Sequence, residues 1–119
     1  MQLKVTKRTV DGILVVQGNG RIVFGEESSL LRDEIKKAIA DGNKRIVLNL
    51  GEVSYIDSGG LGTLVSLFTT AHTAGGSIKL ANLTQRVGDL LQVTKLVTVF
   101  EVFSNEEEAV ESFRKGAAA

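Results

Sequence analysis

The chain has no cysteine and no proline among its 119 residues. Without cysteine there is no disulfide framework, no thiol nucleophile and no thiolate metal site. The lack of proline is unusual and decides nothing by itself. A single histidine, His72, leaves little material for acid–base chemistry. An excess of either charge is also missing. Fourteen Lys and Arg balance fourteen Asp and Glu, for a formal net charge of zero. No broad electrostatic attraction to nucleic acid or to an anionic membrane is expected from that balance. No apolar run is long enough to span a bilayer. The opening Met1-Gln2-Leu3-Lys4 carries no apolar signal-peptide core. These absences lead to the expectation of a soluble cytoplasmic protein. Its length suits one domain that buries roughly two-thirds of its unfolded surface.

What is present alternates between two periodicities. Leu3-Lys4-Val5-Thr6 reads as a half-buried strand, and Asp11-Gly12 as a hairpin turn. Ile13-Leu14-Val15-Val16 is a continuous apolar run, as in a strand covered on both faces. Gly18, Gly20 and Gly25 are read as loop punctuation. Glu26 and Glu27 suit the first turn of a helix. Leu31, Ile35, Ala38 and Ile39 share one face of that helix, which Gly42 ends. Ile46 to Leu50 reads as the next strand. Leu61, Leu64, Val65, Phe68 and Ala71 keep helical spacing up to Gly75-Gly76. Ile78 to Ala81 is a strand, and Thr84 is placed to cap a short helix carrying Val87, Leu90 and Leu91. Val99 to Val102 reads as the last strand. Ser104 and Glu107 fit a capping box for a final helix bearing Ala109, Val110 and Phe113.

Strands and helices that alternate in this way imply an α/β domain. Its sheet is mainly parallel, with the first strand as an antiparallel edge and about four helices around it. The domain is expected to span residues 1–115, with 116–119 as a short tail. Sites in such sheets lie at the strand C-terminal ends. The segment Tyr55-Ile56-Asp57-Ser58-Gly59-Gly60-Leu61-Gly62 sits at one of those ends, between a strand and a helix. A helix start has free N–H groups and a positive dipole end, so it accommodates a phosphate. A serine on such a turn is either a plain N-cap or a modification site, and the residues alone favour the cap. Asp57 either caps the helix or shapes the turn.

Other chemistries fit poorly. The glycines do not complete a dinucleotide fingerprint, and no Gly-Lys-Ser/Thr sequence marks a phosphate loop. A serine nucleophile needs a positioned base. His72 lies fourteen residues further along the same helix as Ser58, roughly 20 Å away at the helical rise. One carboxylate, Asp57, does not make a hard-cation site. No catalytic residues, metal site or cofactor are expected.

The stretch Val53-Ser54-Tyr55-Ile56-Asp57-Ser58-Gly59-Gly60-Leu61-Gly62 resembles the D-S-[ST]-G-L-G signature of anti-sigma factor antagonists, whose fold is the STAS domain. Arg45-Ile46-Val47-Leu48-Asn49-Leu50 resembles the strand before that signature. Length and element order agree over nearly the whole chain. The resemblance implies a bacterial STAS-type single domain that works by partner switching. It implies that Ser58 is phosphorylated by an anti-sigma factor that is itself a serine kinase. The unphosphorylated form would bind that kinase and free a sigma factor, and a serine phosphatase would restore it. Asp57, Ser58, Gly59, Gly60 and Gly62 would form the partner-binding turn. The loop from Gly20 to Gly25, with Arg21, would form a second edge. Two positions depart from the family pattern. Gly59 stands where serine or threonine is usual, and Val23 where an acidic residue is common. Two other readings of the same turn stay open: an unphosphorylated scaffold or sensory module, and a small-molecule or nucleotide binder.

Overall fold

The computed structural model describes residues 3–118, with side chains described through Lys115. Met1, Gln2 and Ala119, which carry part of the leader and tail expectations, lie outside the described residues. Strands β1 (Lys4–Val10) and β2 (Ile13–Ile22) form the expected hairpin. Its two turn residues, Asp11 and Gly12, both take positive φ, 52° and 78°. This is the backbone twist that joins two antiparallel strands in the fewest residues. Helix α1 (Glu26–Ala40) leads to β3 (Arg45–Ile56), and α2 (Ser58–Thr73) leads to β4 (Ser77–Ala81). Helix α3 (Gln85–Val93), a 3-10 turn at Leu96–Thr98, β5 (Val102–Phe103) and α4 (Glu106–Ala118) complete the chain. The sheet order is β1-β2-β3-β4-β5. β1 runs antiparallel to β2, and every later pairing is parallel.

The sheet is covered on both faces, which explains the continuous apolar runs of β2 and β3. Leu14, Val16, Ile46, Leu48 and Leu50 enter the larger core cluster, together with Leu31, Ile35, Leu64 and Leu91 of α1 to α3. Ile13, Val15 and Val47 point the other way, onto Ala109, Val110 and Phe113 of α4. Helix α4 is also held by polar contacts. Asn49 Nδ2 donates to Glu106 Oε1 at 2.8 Å, and Arg8 pairs with the same carboxylate.

Four local expectations are corrected. Gly18 and Gly20 lie within β2, not in a loop. There the ladder with β3 shifts register between Gln17 and Asn19 and again between Gly20 and Arg21. Gly20 takes a φ of 127°, which a residue with a side chain rarely adopts, and a Cβ on Gly18 would meet Val53 Cγ2 at 3.3 Å, so both glycines serve the irregular ladder and do not end the strand. β3 likewise runs past Leu50 to Ile56. The last strand begins only at Val102, because Phe100 turns into the core edge-on to Phe68, with ring centroids 5.4 Å apart. The cap of α4 is Asn105, whose Oδ1 accepts from Glu108 N at 2.8 Å, and not Ser104. The Thr84 cap of α3 is where expected, accepting from Val87 N at 3.2 Å. The backbone of α4 stays helical to Ala118.

Candidate functional site

The parallel ladder brings the C-terminal ends of β2 and β3 side by side, pairing Arg21 with Tyr55 and Ile22 with Ile56. Asp57 follows at once and is the N-cap of α2. Its Oδ1 accepts from Gly60 N at 2.8 Å. The same carboxylate also receives Phe24 N, at 3.1 Å to Oδ1 and 3.0 Å to Oδ2. The Asp57 backbone N–H donates to Ile22 O at 3.3 Å. One carboxylate therefore closes the start of α2 and ties it to the segment between β2 and α1. The Phe24 N–H, and after it the Gly60 N–H, hold the Asp57 carboxyl below the usual carboxylate range. Bonds that favour the charged form have that effect.

Ser58 is the first residue of α2 and is exposed. It does not cap the helix, as the sequence suggested, because Asp57 occupies that position. This leaves the hydroxyl facing solvent at the positive end of the helix. The three glycines differ in what they do. A Cβ on Gly60 would fall 2.1 Å from Ile22 O and 2.9 Å from Ile56 Cγ2, so only glycine fits there. A Cβ on Gly59 would fall 2.6 Å from Phe24 Cβ. Gly62 has nothing within 4 Å of its Cβ position and is exposed. Gly60 is thus a packing requirement, while Gly62 leaves the helix surface open.

Arg21 lies at the end of β2, not in a loop, and its Nε is buried without a hydrogen-bond partner. Val23 carries no charge toward the turn. Its carbonyl accepts from both Ser28 N, at 3.1 Å, and Ser28 Oγ, at 2.7 Å, which fixes the entry to α1. On the other side of Ser58, a groove of about 420 Å³ runs between the end of β3 and α3. Tyr55, Ile56, Asp57 and Ser58 form one wall, and Arg86, Leu90 and Val93 are on the other. A larger cleft, about 550 Å³, is lined by α3 and Phe100 and does not include Ser58.

Two features of the site escaped the sequence reading. Phe24 is 81% exposed beside the turn, and so is Val93 at the end of α3. An aromatic and a β-branched residue read as core by type, and only the placement of neighbouring elements exposes them. His72 sits in the last turn of α2, exposed and stacked on Phe68, away from Ser58. Among the described residues, no three His, Cys, Asp or Glu side chains cluster as a metal site requires. Among the same residues, no helix is long and apolar enough to cross a membrane.

Comparison with known proteins points to one fold. The STAS domain family model matches residues 4–109. The anti-sigma-B factor antagonist of Bacillus subtilis is 34% identical over 73 residues, which span 61% of this chain and 67% of that protein. The anti-sigma F factor antagonist of Paenibacillus polymyxa is 25% identical over 111 residues, 92% of this chain and 94% of that one. Among solved structures, the unphosphorylated form of the anti-sigma factor antagonist SpoIIAA superimposes with a TM-score of 0.80 at 22% identity. That match covers 94% of this chain and 97% of SpoIIAA. The phosphorylated form of the Bacillus SpoIIAA gives 0.72 at 21% identity, covering 92% of this chain and 99% of that chain. At those identities the structural matches speak for the fold.

Proposed function

This chain belongs to the STAS domain family, and from that premise we propose that it is a cytoplasmic anti-sigma factor antagonist switched by phosphorylation of Ser58. The observation that carries the reading is the exposed Ser58 hydroxyl at the first position of α2, beside a cap supplied by its neighbour Asp57. A hydroxyl in that position can gain a phosphate without giving up a structural role. The unmodified form binds an anti-sigma factor of the serine-kinase type, holds it off its sigma factor and so frees the latter for transcription. The kinase ends the complex by modifying Ser58, and a serine phosphatase resets it. The chain acts by binding, not by catalysis.

The switch is electrostatic. Phosphate adds about 1.5 to 2 negative charges and three acceptor oxygens at neutral pH. The helix start tolerates that charge within the domain. A partner packed onto the turn would instead enclose it without a counter-charge, and an unpaired buried charge costs several kcal/mol. Affinity falls while the fold persists. Arg21, at the end of β2, and the open surface at Gly62 complete the docking face.

The test mixes wild type, Ser58→Ala and Ser58→Asp with the host's serine-kinase anti-sigma factor and ATP. Intact mass reports phosphate and size exclusion reports the complex. Wild type should gain one phosphate and lose the complex. Ser58→Ala should bind and stay unmodified, and Ser58→Asp should not bind. Because Asp57 holds the cap, Ser58→Ala should change stability by no more than about 0.5 kcal/mol. An unmodified wild type together with tight binding by Ser58→Asp would favour the constitutive scaffold. Phosphate on Ser58→Ala would move the site, with Ser54 and Thr63 the nearest serine and threonine in sequence.

A further inference from the structure

Phe24 is the most conspicuous apolar side chain near Ser58, and the proposed switch does not use it. The residue is 81% exposed, yet it is not loosely held. Its N–H donates to both oxygens of Asp57, at 3.1 and 3.0 Å. Its side chain lies against Gly59. A Cβ built on Gly59 would fall 2.6 Å from Phe24 Cβ and 3.0 Å from the ring carbon Cδ1. Backbone and ring are thus positioned by the two residues that flank Ser58 in sequence. Exposing an aromatic ring forgoes the burial such side chains ordinarily gain, and an aromatic held ready in a fixed place loses little entropy on docking. Past Ser58, the exposed Tyr55 and Val93 line the groove against α3, together with the charged Arg86 and Asp89.

We propose that Phe24 is the aromatic anchor of the partner interface, seated on Gly59, and that its occupant is an apolar pocket on the same protein that contacts Ser58. This rests on the reading of Ser58 as a partner-facing residue. The argument for that occupant is geometric. Phe24 and α2 hang on one carboxylate, so a protein surface that covers Ser58 meets the ring as well. Gly59 is then a specificity position. Any side chain there pushes against Phe24 Cβ and re-aims the ring, whatever its own chemistry.

The test is a double-substitution cycle read by titration calorimetry against the host's serine-kinase anti-sigma factor, with Ser58→Asp as control. Phe24→Ala should weaken binding by about tenfold or more, as loss of a central aromatic does. Its melting temperature should stay within about 2 °C of wild type, since the ring is mostly in solvent. Gly59→Ala should also weaken binding in the parent. Measured against Phe24→Gly, which removes the Cβ it meets as well as the ring, it should add less than about twofold. If Phe24→Ala binds within about twofold of wild type while Ser58→Asp does not bind, the anchor is refuted and the switch stands. If Ser58→Asp binds like wild type while Phe24→Ala does not, the switch falls and the anchor stands. If the wild type itself does not bind, both are overturned.

Discussion

Two glycine-to-alanine substitutions in one helix turn should have opposite signs. Gly62 is exposed, with no atom within 4 Å of its Cβ position. Alanine there costs no packing and gains helix propensity, about 0.5–1 kcal/mol. Gly60 is buried, and its Cβ would sit 2.1 Å from the Ile22 carbonyl oxygen and 2.9 Å from Ile56 Cγ2. The first of these is backbone of β2 and cannot rotate away. Restoring an ordinary contact would move the start of α2 from the strand by about 1 Å, a typical overpacking strain of about 1–3 kcal/mol. The same movement stretches the 2.8 Å bond from Gly60 N to Asp57. At about 4 °C per kcal/mol for a domain of this size, Gly62→Ala should melt a few degrees higher and Gly60→Ala about 4–12 °C lower. Differential scanning calorimetry on the pair, with the same chemical change and no charge altered, isolates the contact. Equal shifts of the same sign would refute the close approach of α2 to the end of β2.

Leu48, 1% exposed in the middle of the sheet, should cost about 2–5 kcal/mol as alanine in urea unfolding, and a loss under about 0.5 kcal/mol would remove β3 from the core. Asp57 carries a depressed pKa, set first by Phe24 N–H and then by Gly60 N–H. Its stabilising contribution is therefore complete above the ordinary unfolded value, about 3.9, and is lost as pH falls through the lower folded value. Urea midpoints between neutral and strongly acidic pH should show a shallower acid decline for Asp57→Asn than for wild type, and an unchanged slope would contradict the depressed pKa. At the start of α4, Asn105→Ala should cost about 1 kcal/mol and Ser104→Ala little, and the reverse order would return the cap to Ser104.

The sequence made the architecture legible where one cause dominated. Ile13 to Val16 could only be a strand buried on both faces, and the two core clusters divide those residues alternately. Asp11-Gly12 left few alternatives to a tight hairpin. Glycine was ambiguous. Gly25 is the N-cap that opens α1, at φ 109°, but Gly18 and Gly20 sit inside β2, beside the irregular ladder with β3. Capping was ambiguous for a different reason. Asp57 and Ser58, like Ser104 and Asn105, are adjacent residues of equal capping preference. Only the direction of Gly60 N and Glu108 N decides between them. The position of the candidate site could be read from the sequence, but its apolar surround could not. Exposure of Phe24 depends on where the β2 to α1 connection lies relative to α2, which no local pattern encodes.

The division of labour between Asp57 and Ser58 bears on how a modification could act. Asp57 makes the bonds that hold the turn: to Gly60 within α2, to Phe24 across from it, and through its own N–H to Ile22. Ser58 is left exposed one residue away. A change in charge at Ser58 therefore has no structural bond of Asp57 to break, and no second conformation of the domain is needed for it to be felt. What would change is the surface itself: a neutral hydroxyl between Phe24 and the Tyr55 groove, whose far wall carries Arg86 and Asp89 beside Leu90 and Val93, would gain a phosphate's charge. A partner fitted to the first surface must strip water from the second without returning a counter-charge. On the proposed reading, discrimination between the two states comes from that desolvation at the interface. It does not require movement of the helix, so the rigidity supplied by Asp57 serves the switch.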